Sequence, residues 1–201
     1  MAKKAAKKQS RDVAGHNEKL EDLFKLIDSI DLGFLTTRRA DGRLVSRPMA
    51  TQLRTEDGHL WFVTDRDTNK LDELDRDPNV NIAYYKSRTR EWVSVSGHAR
   101  ATTDQAMIDA LWAPDWKAWF GKGGGKHSGT AKDPRLVLIE VIPDSVTYLK
   151  ADRPTIVALF DLAKGMVTGE APKFGDMREL SSSELAQGRT KGARSRKARM
   201  S

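Results

Sequence analysis

The chain has 201 residues, 38% of them hydrophobic and 31% charged, with a formal charge of +7 and no cysteine. That length allows one domain with a core plus tails, and the missing cysteine excludes disulfides, thiol catalysis, thiolate zinc sites and iron–sulfur clusters. Residues 1–11 and 181–201 each carry +5, so the stretch between them carries −3 and lacks the basic face a nucleic-acid-binding fold needs.

Residues 1–14 read as a disordered basic arm, 15–170 as the folded domain and 171–201 as a basic flexible tail. No apolar stretch follows the basic start, as a secretory signal requires, and no run approaches the roughly 18 apolar residues of a membrane span. A cytoplasmic protein is the expectation. From 16 to 31, Leu20, Leu23, Phe24, Ile27 and Ile30 recur at helical spacing and predict an amphipathic helix.

The period then changes to that of strands. "LGFLTTR" (32–38) is one, "ADGR" (40–43) a turn in which Gly42 supplies positive φ, and "LVSRPMATQLR" (44–54) a second strand. Pro48 lacks the amide a central strand uses, which places an edge or a bulge there. "TEDG" (55–58) turns again into "HLWFVT" (59–64), completing an antiparallel meander. A short helix at about 68–76 puts Leu71 and Leu74 inward, and "VNIAYY" (80–85) and "EWVSVSGHARA" (91–101) are further strands. In the latter, Val93 and Val95 share one face, and Trp92, Ser94 and Ser96 the other.

"TTDQAMIDALW" (102–112) is a capped helix, followed from Pro114 by a second helical turn with Trp116 and Trp119. Residues 121–132 form a Gly/Lys loop, 135–143 and 145–150 two last strands, and 155–167 a final helix. About seven antiparallel strands in a chain of this size curl, so the expected fold is mainly β (α+β): a small antiparallel β-barrel of six to eight strands with flanking helices.

One stretch carries chemistry. "WFVTDRDTNK" (61–70) ends a strand and opens a helix. The first turn of a helix leaves amides unpaired and its dipole favours an anion. Thr64, Thr68, Asn69 and Lys70 add donors there, which is how a phosphate is held. The alternative is a plain helix cap with a solvated lysine. Arg47, read as lying on a strand beside 59–64, would add a second cation. His16, His59, His98 and His127 have no metal-binding spacing, and no nucleotide-binding glycine motif is present.

The stretches "GFLTTRRADGRLVSRPMA", "LWFVTDRDTNKLDELDRDPNVNIAYY", "WVSVSGHA" and "ALWAPDWKAWF" resemble the general stress protein 26 group. That group lies within the pyridoxamine 5′-phosphate oxidase-like, FMN-binding split β-barrel superfamily. The resemblance covers roughly residues 18–175. It implies a split antiparallel barrel, a homodimer, and FMN at the subunit interface. It places Arg47, Pro48 and Met49 along the flavin ring and ribityl chain. Val63 and Thr64 fall at the ring edge and phosphate region, and Thr68, Asn69 and Lys70 on the phosphate. Asn69 stands where the oxidases carry an arginine, and Trp92 where they carry a glutamine near the ring. Trp112, Lys117 and Trp119 from the partner chain form the implied lid.

The oxidases' C-terminal Trp- and Arg-containing motif is absent from this sequence, which argues against oxidation of pyridoxamine phosphate. The reading is an FMN-dependent oxidoreductase with a stress-response role. The alternatives are a flavin-binding or redox-sensing stress protein without turnover, basic tails that contact nucleic acid or other polyanions weakly, and a deazaflavin or haem in place of FMN.

Overall fold

A computed structural model describes residues 2–120, 127–151, 166, 168, 169 and 175–186, with side chains from Gly15 onward. The elements in chain order are α1 (Ala2–Asp28), β1 (Leu32–Arg38), β2 (Leu44–Ala50), β3 (Leu53–Arg54), β4 (Leu60–Asp65) and α2 (Asn69–Arg76). β5 (Asn79–Lys86), β6 (Glu91–Thr102), α3 (Gln105–Leu111), α4 (Trp116–Phe120), β7 (Leu136–Lys150) and β8 (Asp176–Ser181) follow. Among the described residues the strands form one sheet in the order β2-β1-β5-β6-β7-β4-β3, with β8 paired to β7. Its two ends, β2 and β3, are consecutive in the chain, separated only by Thr51 and Gln52.

The chain divides into two compact units. The unit of residues 31–82 and 96–144 carries the candidate site. Its β1/β2 hairpin turns at Gly42 (φ 82°) and pairs in antiparallel register, Phe34 opposite Pro48 and Leu35 opposite Arg47. Leu35, Leu60, Phe62, Ile82 and Ile139 are fully buried. A second apolar cluster of Trp61, Ile108, Trp116, Phe120, Leu136 and Leu138 lies with α3 and α4. Asp104 caps α3 as expected, accepting from the amides of Ala106 at 2.8 Å and Met107 at 3.3 Å.

The other unit comprises residues 1–30, 83–95 and 145–201. Leu20, Leu23, Leu26 and Ile27 of α1, Val93 and Val95 of β6, and Leu180 of β8 are buried there. Tyr148 donates to the Lys19 carbonyl at 2.8 Å, and Arg178 pairs with Asp22 at 2.7 Å, fastening β7 and β8 to α1.

Four sequence expectations change. The predicted first helix begins at Ala2 and so takes in the stretch read as an arm, in keeping with the high helix propensity of its alanines and lysines. The strand expected over 44–54 is two, because β2 pairs with β1 whereas β3 pairs with β4. Pro48 lies on β2, at one end of the strand order, as the edge expected for a strand proline requires. The last two expected strands are one continuous β7. Besides β6, it pairs with β4 over 136–141 and with β8 over 145–150, and Pro143 falls in the gap between those two pairings. The basic tail starts later than expected, since Asp176–Ser181 forms β8 and residues 182–186 are helical. The helix expected over 155–167 falls almost wholly outside the described residues, as do residues 121–126 of the Gly/Lys loop and residues 187–201. No helix among the described residues is long and apolar enough to cross a membrane.

Candidate functional site

β4 ends in Asp65, whose carboxylate accepts from the Asp67 amide at 2.9 Å and shapes the turn into α2. Thr68 is the N-cap with extended backbone (φ −118°, ψ 137°), but its hydroxyl caps no helix amide. It donates instead to the Asp65 carbonyl at 3.0 Å. The amides of Asn69 and Lys70 have no partner among the described residues, so the helix start keeps its donors free.

Lys70 is the unusual residue. It is only 9% exposed. Its ammonium donates to the Thr64 hydroxyl at 2.6 Å and makes no ion pair among the described residues. Burial, and then the charge of Arg47, push Lys70 below the ordinary lysine value, with Asp65 and Glu73 acting in the opposite sense. A buried ammonium has three donors and one is spent here. Leaving the others unmatched is costly.

Arg47 behaves otherwise than the sequence suggested. Its strand ladders to β1 and approaches β4 without pairing with it. Its guanidinium pairs with Glu73 at 2.8 Å and donates to the Thr37 hydroxyl at 2.8 Å, and that hydroxyl donates to Glu73 at 2.6 Å. Burial opposes the Glu73 carboxylate. The hydrogen bonds from Arg47 and Thr37 and the charge of Arg47 outweigh it and hold Glu73 below the ordinary value. Arg47 is therefore neutralised locally, and Glu73, one turn along α2 from Lys70, is the site residue that the sequence reading missed. Nothing in a helix reading "NKLDEL" separates a buried acid from a solvated one.

Lys70 opens onto a cavity of about 370 Å³. Seven of the expected residues line it: Pro48, Met49, Val63, Thr64, Thr68, Lys70 and Trp119. Leu32, Ala50, Gln52, Asp65, Asp115, Trp116 and Phe120 complete the wall. Gln52 accepts from the Trp116 indole at 2.7 Å, a bond foreshadowed only by the need of a buried tryptophan for an acceptor. Trp119 is 84% exposed at the rim.

The remaining expected residues lie elsewhere. Asn69 is exposed and Trp92 half-buried, and neither lines the cavity. Trp112 caps the end of α3, and its indole donates to the Gly129 carbonyl at 3.3 Å. The Lys117 ammonium lies 5.7 Å from the centre of the Trp112 ring, so that pair is engaged within its own chain. Among the described residues no group of three or more His, Asp or Glu is arranged to hold a metal ion.

A helix-flanked antiparallel sheet whose ends are joined through Thr51 and Gln52, with a cavity at a strand–helix junction, defines a split-barrel protein. The chain belongs to the pyridoxamine 5′-phosphate oxidase-like family, whose profile matches residues 18–173. It is 33% identical over 177 residues to protein bli-3 of Neurospora crassa, covering 87% of this chain and 85% of that one. It is 28% identical over 103 residues to general stress protein 26 of Bacillus subtilis, covering 50% of this chain and 68% of that protein. The crystal structure of the general stress FMN/FAD binding protein of Xanthomonas citri superposes with a TM-score of 0.56 at 27% identity, covering 68% of this chain and 92% of that one.

Proposed function

We propose that the chain is an FMN-binding flavoprotein of the general stress protein 26 type, and that the cavity beside Lys70 takes the cofactor. The observation that carries this reading is the buried, ion-pair-free ammonium of Lys70 facing a largely apolar cavity. A free cation at a helix N-terminus matches a phosphate, and the apolar walls match a ring system. The FMN/FAD named for the Xanthomonas citri protein supports the same class of ligand. Lys70, Thr64, Thr68 and the amides of Asn69 and Lys70 would hold the phosphate. Pro48, Met49, Val63 and Trp119 would supply ring contacts.

Bound FMN supplies one- and two-electron exchange, and the chain binds, orients and shields it. The reading includes oxidoreductase activity on a substrate other than pyridoxamine phosphate, a cytoplasmic location and a homodimer. For the homodimer, the exposed apolar side chains Leu32 (49%), Phe34 (47%) and Leu44 (62%) of the β1/β2 hairpin offer a surface to bury. A flavin-binding role without turnover is the second reading. The titratable residues lining the cavity are Asp65, Lys70 and Asp115, and Asp65 is occupied by a backbone amide, so no acid–base pair is set out.

The test is a visible spectrum of the purified protein, heat release of the chromophore and its identification by mass, then anaerobic addition of NAD(P)H. Released FMN that NAD(P)H reduces supports the oxidoreductase. FMN that no nicotinamide donor reduces favours the second reading. A colourless protein that takes up no FMN contradicts both.

A further inference from the structure

We infer that Glu73 is a specificity-determining residue of the phosphate end of this site: by holding Arg47 in an ion pair, it leaves Lys70 as the one cavity cation without an ion pair among the described residues and so limits the phosphate's contribution to binding. This rests on the flavin reading above.

Three observations carry it. Arg47, the second cation of the neighbourhood, has its guanidinium spent on Glu73 at 2.8–2.9 Å and on Thr37 at 2.8 Å. Thr37 in turn donates to Glu73 at 2.6 Å, so the three side chains close a ring that points none of its charge into the cavity, and Arg47 is not among the lining residues. Glu73 is 6% exposed and Thr37 1%, so the ring is not a loose surface pair that a ligand can pull apart without cost. Both charges are nevertheless felt at Lys70, Arg47 acting to lower and Glu73 to raise its pKa. Near the phosphate, the site therefore presents Lys70, the Arg47–Glu73 pair that nearly cancels, and the Asp65 carboxylate, which is the same in every variant compared below. Asn69, exposed and uncharged, adds no cation.

Charge-assisted bonds to phosphate set how far FMN is preferred over riboflavin, which differs only by lacking that phosphate. The FMN-to-riboflavin affinity ratio is thus the readout, and it is one that a purely structural role for Glu73 would not move. In Glu73→Gln the guanidinium loses its counter-charge, and the ratio should rise by about tenfold, as one additional charge-assisted contact provides. Arg47→Gln strands the Glu73 carboxylate near the phosphate and should lower the ratio. Arg47→Gln/Glu73→Gln removes both charges together and should return it to the wild-type value.

The proposal is overturned if folded Glu73→Gln shows an unchanged or lower ratio. It is equally overturned if the double variant loses discrimination as far as Lys70→Ala does, since Arg47 would then itself grip the phosphate. If Glu73→Gln does not fold, the double variant decides alone. Failure of the flavin reading would show separately, as wild-type protein that binds neither flavin. Calorimetric titration with inorganic phosphate then reads the same order of variants and decides the role of Glu73 by itself.

Discussion

The Lys70 ammonium meets the Thr64 hydroxyl at 2.6 Å across the turn from β4 to α2, and this is its one hydrogen bond among the described residues. A strand end and a helix start six positions apart thus hold a largely buried charge without an ion pair among the described residues. An apoprotein bears the cost of that arrangement, and an anionic ligand relieves it.

Lys70→Met should therefore move stability and binding in opposite directions. Replacing the buried charge by an apolar side chain of similar length should raise apoprotein stability by about 1 kcal/mol. Loss of the phosphate's cation should weaken FMN binding by at least about tenfold. Denaturant melts without ligand and a flavin titration check the two signs.

The same residue sets a pH dependence. The lysine's folded-state value lies below 10.5, so between the two values the unfolded chain binds more protons than the folded one. Apoprotein stability from this group should therefore rise with pH through that window, while FMN affinity falls as the ammonium deprotonates. Glu73, held low, contributes stability above its unfolded value of 4.5, and that contribution is lost as pH falls through its depressed value. Melts and titrations across alkaline pH, repeated on Lys70→Met, should show the first pair of slopes vanish and the acid limb persist.

Trp119→Ala should leave the monomer's stability within about 0.5 kcal/mol, because the side chain is 84% exposed. It should nevertheless weaken FMN binding, because the same ring lines the cavity. Trp116→Ala, at 1% exposure and bonded to Gln52, should instead cost about 3 kcal/mol or more. Comparing the two variants in melts and flavin titrations separates rim from core.

Gly97→Ala tests the sheet. A methyl there would stand 2.2 Å from the Ile142 carbonyl oxygen, beside Pro143, between the β4 and β8 pairings of β7. Backbone must shift to admit it, which should cost about 2–3 kcal/mol, readable as a lower denaturation midpoint.

Local features were legible from the sequence because local physics decides them. The glycine turns at Gly42 and Gly58, the Asp104-capped helix and the convergence of Thr64 with Lys70 all involve residues a few positions apart. Non-local choices were not. Arg47 was read as reaching Thr64 from a strand beside 59–64; β2 does approach β4 but ladders to β1, and the side chain is captured by Glu73, 26 positions away. β8 escaped notice because only Leu180 of its six residues is buried. An isolated apolar residue among charges shows no period, and its partner strand lies some thirty residues upstream.

The most direct test of the central claim is a parallel titration of the full chain with FMN and with riboflavin, followed by flavin fluorescence quenching. The account predicts saturation at about one FMN per chain, with riboflavin bound at least about tenfold more weakly. Equal affinity for the two flavins, or no uptake of FMN at all, would contradict a phosphate site at Lys70.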